Sequence, residues 1–145
     1  MEEIRCGGEL IVLLDTTACI DFLYGYKEMK PIIDQIDEPL QITTVTVYEV
    51  GIGLERARRK KSEARHDELK RKWLGFISNM QILPLGMKEA EKAAQIHDIL
   101  ESKGTMIDDN DILIAGIMLV NGFKTILTRN VQHFKNIKEL RVIEY

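Results

Sequence analysis

Apolar and polar positions change rhythm repeatedly along this chain, and each change marks the border of an element. Residues 10–14 (Leu-Ile-Val-Leu-Leu) are an unbroken apolar run, as in a strand covered on both faces. Residues 17–24 and 27–36 follow as short helices, the second with Pro31 near its first turn, where proline is tolerated. Past Pro39, residues 40–44 read as a second strand, and a long helix starts at about Val47. Another covers 63–79, with Leu69, Trp73, Phe76 and Ile77 as its apolar stripe. Residues 81–85 make a brief third strand. Ala90, Ala93, Ala94, His97 and Leu100 share one face of the next helix, which Gly104 stops. Residues 110–121 are almost wholly apolar and predict a buried helix ending at Asn121-Gly122. Thr125–Leu127, Val131–Phe134 and Arg141–Ile143 then predict a strand, a single helical turn and a last strand.

Strands alternating with helices predict an α/β fold, with a central parallel sheet of about five strands and helices on both faces. No repeat or linker divides the chain, so residues 1–145 read as one domain. With 45% hydrophobic and 30% charged residues, the composition is that of a folded domain and excludes a disordered or collagen-like chain. No apolar run approaches the roughly 18–20 residues of a membrane span. The start, Met1-Glu2-Glu3-Ile4-Arg5, lacks the pattern of a secretory signal. Cys6 and Cys19 have no spacing for a disulfide framework, so a reducing cytoplasm is the expected location.

The net charge of −3 argues at first against a nucleic-acid partner. Its distribution changes that picture. Residues 55–72 hold nine Lys or Arg against four acids, which leaves the rest of the chain strongly acidic. A solvated helix face explains such a segment as well as contact with phosphates does.

In a parallel sheet, ligands bind beyond the carboxyl ends of the strands. Those positions carry Asp15-Thr16-Thr17, Thr46-Val47-Tyr48-Glu49, Asp108-Asp109-Asn110-Asp111 and Thr128-Arg129-Asn130. Each has a structural explanation. Asp15 or Thr17 could cap a helix, Thr46 and Glu49 have capping-box spacing, Asp109 is a good N-cap, and Asn130 could cap the turn that follows. Together they are harder to explain as caps, since three aspartates crowding one helix start repel one another unless a cation sits among them. Asp15, Glu49, Asp111 and Asn130 on one sheet edge describe an oxygen-ligand pocket for Mg²⁺ or Mn²⁺. No soft-metal spacing competes among Cys6, Cys19, His66, His97 and His133, and no phosphate-binding loop or nucleophile elbow is present. His97 reads as a packed core histidine, and the six methionines as core filling.

These blocks, residues 12–20, 44–50, 107–115 and 127–134, resemble in order and spacing the four signature blocks of PIN-domain proteins. The likeness is strongest to the VapC toxins of VapBC-type toxin–antitoxin pairs, and it spans about residues 11–143. It implies a PIN-like domain over 1–145, whose lead-in, residues 1–9, is longer than usual. It also implies a metal-dependent endoribonuclease in which Asp15, Glu49 and Asp111 fall on the three acidic positions. Asp109 matches an additional acid of the toxin branch. Asn130 stands where Asp is frequent, and Thr16 and Thr128 match supporting hydroxyl positions. The pocket is too acidic to attract RNA unaided, so Arg56, Arg58, Arg59, Lys60, Lys61 and Arg129 are the candidate RNA-binding cations. The implied partners are RNA, a small antitoxin lying across the pocket, and a second copy of the chain. Phe22, Leu23 and Tyr24, or the long second helix region, are the candidate dimer surfaces. The alternative is a non-catalytic regulatory or RNA-binding α/β module, either a degenerate PIN domain or a receiver-like domain.

Overall fold

The computed structural model describes residues 11–37 and 40–145. The lead-in, Cys6, Leu10 and Pro39 lie outside the described residues. Five three-residue strands, β1 (Val12–Leu14), β2 (Gln41–Thr43), β3 (Gln81–Leu83), β4 (Thr125–Leu127) and β5 (Arg141–Ile143), pair in the order β3-β2-β1-β4-β5. Every pairing is parallel.

Alternation along these strands sends successive side chains to opposite faces and builds two cores. Val12 and Leu14 face one way, where Ala18, Cys19 and Leu23 of α1 (Thr16–Leu23) and Met29 of α2 (Met29–Asp34) cover them. Val50 and Leu54 of α3 (Thr44–Lys60) and Leu69 and Trp73 of α4 (Glu63–Ile77) complete that layer. Leu13 and Ile126 face the other way. There they meet Ala93, Ile96 and Leu100 of α5 (Met87–Ser102), Ile114 and Ile117 of α6 (Asp109–Val120), and Phe134 of α7 (Val131–Phe134). The parallel sheet covered on both faces is therefore as expected. A receiver-like domain is not, since the doubly wound order of receivers is 2-1-3-4-5.

Several boundaries differ from the expectation for local reasons. Helix α3 begins at Thr44, not at about Val47, because Thr43 caps it through the Thr46 N–H. Thr46 thus lies inside the helix and opens no capping box. The second helix shortens to Met29–Asp34, and the third strand ends at Leu83, just before Pro84. The stops at Gly104 and Gly122 hold. Each follows the last helical residues with a left-handed φ, +68° and +78°, a region in which a Cβ is strained.

His97 is not a core residue. Its side chain is 41% exposed between Glu101 and Asp109, while Ala93, Ile96 and Leu100 form the buried stripe of α5. The proposed dimer surface also divides, since Leu23 is buried and Phe22 stacks on Phe76 at 3.8 Å. Of the three residues, Tyr24 alone is exposed.

Candidate active site

The chain leaves β1 toward β2 on one side and pairs with β4 on the other, so the strand order reverses between β1 and β4. A crevice opens beyond the carboxyl ends at such a reversal. Asp15 is the first residue beyond β1 and is completely buried. Its Oδ1 accepts the Ala18 N–H at 2.9 Å, which makes it the N-cap of α1. The cap does not exhaust the carboxylate. Thr17 Oγ1 donates to it at 2.8 Å, and Thr128 Oγ1, just past β4, donates to Oδ2 at 2.5 Å. The Thr128 hydroxyl also accepts the Asn130 N–H at 2.8 Å. Burial pushes the Asp15 carboxyl up from 3.8 to about 6, against the lowering effect of these hydrogen bonds. The charge of Asp111 adds to the rise.

Glu49 lies one turn beyond Thr46 in α3, and its Oε1 accepts the Thr16 hydroxyl at 2.6 Å. Thr16 also meets Thr46 Oγ1 at 3.1 Å, fixing α1 to α3 beside the pocket. Asp111 lies in the first turn of α6, where its Oδ2 contacts His133 Nδ1 of α7 at 2.6 Å. Burial raises the Asp111 carboxyl. The His133 bond and charge oppose the rise, whereas Asp108 and Glu49 reinforce it. Asp111 thus links the three acids electrostatically, raising Asp15 and being raised in turn by Glu49.

The other named residues sort differently. Asp109 is an exposed first residue of α6, 3.9 Å from His97 Nε2, and the N-cap position is held by Asp108. Asn130 precedes α7 without a side-chain cap bond. Arg56 and Arg59 line an open groove of about 630 Å³ with Tyr48. Lys60 and Lys61 end α3 in solvent. Arg58 is committed elsewhere, to Glu55 at 2.9 Å, Glu63 at 3.2 Å and the buried ring of His66 at 3.1 Å. Arg129 lies beside the pocket, with its backbone N–H on Thr17 Oγ1 at 3.1 Å and its Nε 3.3 Å from Asp21. The roles of His133 and Asp21 were missed in the sequence because their partners, Asp111 and Tyr145, lie far along the chain. The one available signal was His133, which is in the same block as Thr128 and Asn130.

Among the described residues, one trio of His and acidic side chains has ligand atoms all within 4.8 Å of one another: Glu63, His66 and Asp67. Arg58 already balances that trio through Glu63 and His66. Asp15, Glu49 and Asp111 are gathered less tightly, each held by its own hydroxyl or imidazole partner. Their donor set is nonetheless all oxygen. Asp111 Oδ1 and Glu49 Oε2 accept no hydrogen bond from described residues. That suits a hard divalent cation that takes few carboxylates and keeps several waters.

The PIN domain family matches residues 12–140. This chain belongs to the PIN domain family. PIN nucleases generally depend on a divalent metal. The chain is 24% identical over 138 residues to Ribonuclease VapC2 of Rickettsia felis, covering 90% of this chain and 95% of that protein. It is 25% identical over 134 residues to the tRNA(fMet)-specific endonuclease VapC of Salmonella typhimurium, covering 92% and 96%. The crystal structure of DNA-bound VapBC from Salmonella typhimurium aligns with a TM-score of 0.78 at 27% identity, over 94% of this chain and 98% of that one. No helix among the described residues is long and apolar enough to cross a membrane.

Proposed function

We propose that this PIN domain protein is a divalent-cation-dependent endoribonuclease, the toxin of a toxin–antitoxin pair, with its site at Asp15, Glu49 and Asp111. The observation that supports this most directly is the completely buried Asp15, met by hydroxyl and backbone donors and facing the charge of Asp111, with no fixed cation paired to it among the described residues. A buried carboxylate so placed costs stability, and a bound cation offsets that cost.

Asp15, Glu49 and Asp111 would hold Mg²⁺ or Mn²⁺, directly or through water, with Asn130 at the margin. Asp109, turned to His97, has the weakest claim. When bound, the cation supplies charge stabilisation at the phosphoryl oxygens and eases deprotonation of water. Thr17 and Thr128 fix the Asp15 carboxylate, Thr16 fixes Glu49, and His133 fixes Asp111. The second oxygen of Glu49 is left to orient the attacking water and accept its proton. Attack by water leaves a 5′-phosphate and a 3′-hydroxyl, so the RNA 2′-hydroxyl is not the nucleophile. Single-stranded or loop RNA, whose bases are accessible, is the substrate class. The protein partners are a cognate antitoxin that closes the pocket and a second copy of the chain, in the cytoplasm.

The test is to incubate the protein with structured and unstructured RNA in the presence of Mg²⁺, Mn²⁺ or chelator. Cleavage that needs the cation and is lost in Asp111→Asn is the expected result. Cleavage that survives chelation would overturn the proposal, and cation binding without cleavage would favour a non-catalytic RNA-binding module.

A further inference from the structure

One side-chain network beside the pocket is not used by the chemistry above. Asp21, in the last turns of α1, is a buried carboxylate. Its Oδ2 receives the hydroxyl of Tyr145, 124 residues away, in a very short hydrogen bond. The same oxygen lies 3.3 Å from Arg129 Nε. Burial and the neighbouring Asp21 hold the Tyr145 hydroxyl far above its ordinary range, so it remains a donor. The Arg129 backbone is fixed as well, by its N–H bond to Thr17 Oγ1, the hydroxyl that also donates to Asp15.

An exposed arginine ordinarily wanders through many rotamers, and ordering it costs binding energy. Arg129 is restrained at its backbone and at Nε. Its side chain is still 56% exposed, and its two terminal nitrogens pair with no described residue. A guanidinium held at one edge presents the opposite edge as a planar two-donor fork, matched to a phosphate. Its anchor hydroxyl, Thr17, also touches Asp15, so any phosphate it grips lies beside the carboxylates and not along the distant basic segment.

We propose that Asp21 and Tyr145 are positioning residues that lock Arg129 as a clamp on the RNA phosphate adjoining the cleaved bond. The proposal rests on the ribonuclease reading and names a binding determinant within it. Asp21 and Tyr145 touch no RNA themselves and act through Arg129. Lysine cannot replace Arg129, because a single ammonium cannot meet Asp21 and still offer two parallel donors.

The test measures binding of a mixed-sequence single-stranded RNA to Asp111→Asn protein across a salt series, with thermal melts of every variant. Adding Arg129→Ala weakens binding about ten-fold and lowers the salt slope by roughly one phosphate contact. Arg129→Lys does not restore the affinity. Asp21→Asn and Tyr145→Phe each weaken binding about three-fold in the presence of Arg129, and have no further effect when combined with Arg129→Ala. Unchanged affinity and salt slope in Arg129→Ala would overturn the clamp and leave the nuclease reading intact. Equal losses from Asp21→Asn with and without Arg129 would make Asp21 merely structural and overturn its positioning role. Tyr145→Phe, which keeps the ring, decides that point if Asp21→Asn melts early. Failure of the Asp111→Asn protein to bind RNA at any salt would remove the ribonuclease reading and the clamp together.

Discussion

The acids at the strand ends and the acids at the α3–α4 corner use the same residue types in opposite surroundings. At the corner, Glu55 and Glu63 close on Arg58 at 2.9 and 3.2 Å, and Asp67 takes the His66 ring at 3.0 Å. At the strand ends, Asp15 and Glu49 are met by neutral hydroxyls, and Asp111 by one imidazole. The corner is the tighter group by distance, yet its negative charge is already met by a fixed guanidinium that ties α3 to α4. At the strand ends Asp15 and Asp111 are buried and Glu49 is half-buried, and Asp111 raises Asp15 while Glu49 raises Asp111. Proximity alone would pick the wrong cluster. What separates a structural ion-pair network from a candidate cation site is whether the chain brings its own counter-charge.

The largest expected effect breaks the comparison at its centre. Asp15→Asn or Asp111→Asn lowers RNA cleavage by at least about 10³-fold, whereas Glu63→Gln and Asp67→Asn leave it within about two-fold, measured as initial rates in saturating Mg²⁺. Next is His133→Ala, which frees the Asp111 carboxylate. Cation affinity by calorimetry falls about 10–100-fold, the range for groups that orient a metal ligand.

The third concerns pH and needs no activity. The folded-state pKa of Asp15 is raised from 3.8 to about 6, so the native state holds a proton that the unfolded chain has released between those values. Its contribution to stability is fully present below pH 3.8 and is lost as pH rises through about 6, roughly 3 kcal/mol in all. Denaturation in chelator will show metal-free protein losing stability over this window. Asp15→Asn flattens the loss, and added Mg²⁺ offsets it above pH 6. The smallest effect belongs to the corner. Arg58→Ala costs about 1–2 kcal/mol in denaturant melts, by leaving His66 and Glu63 without their partner, and leaves RNA affinity unchanged.

The sequence showed the pocket's acids more clearly than their partners, and the reason is geometric. Asp15 directly follows a strand, Asp111 lies in the first turn of a helix and Glu49 in the second turn of the helix after β2, positions that the neighbouring apolar runs locate. Asp111 and His133 are 22 residues apart and Asp21 and Tyr145 are 124 apart, and no local periodicity records contacts at such separations. The α3 start was misplaced because Thr44-Val45-Thr46-Val47 is β-branched and favours strand by propensity. The Thr43 cap and the packing of Val45 override that preference. Asp108, Asp109 and Asp111 show how sharp the helix register is. A step of one residue turns a side chain by about 100°, which puts Asp109 in solvent beside His97 and Asp111 in the pocket. The charged stretch at 55–72 mixed two roles that composition cannot separate. Arg58 is a structural tie, while Arg56 and Arg59 remain open to solvent.

The bond from Thr128 to Asp15 joins residues 113 positions apart. It also fixes when the pocket can exist during synthesis. A nascent chain that has not yet delivered β4 presents Asp15 without the hydroxyl that seats it, and Arg129 is not yet made. The site therefore matures only once β4 has been synthesised and docked beside β1, so a growing chain that still lacks β4 carries Asp15 in an unfinished form.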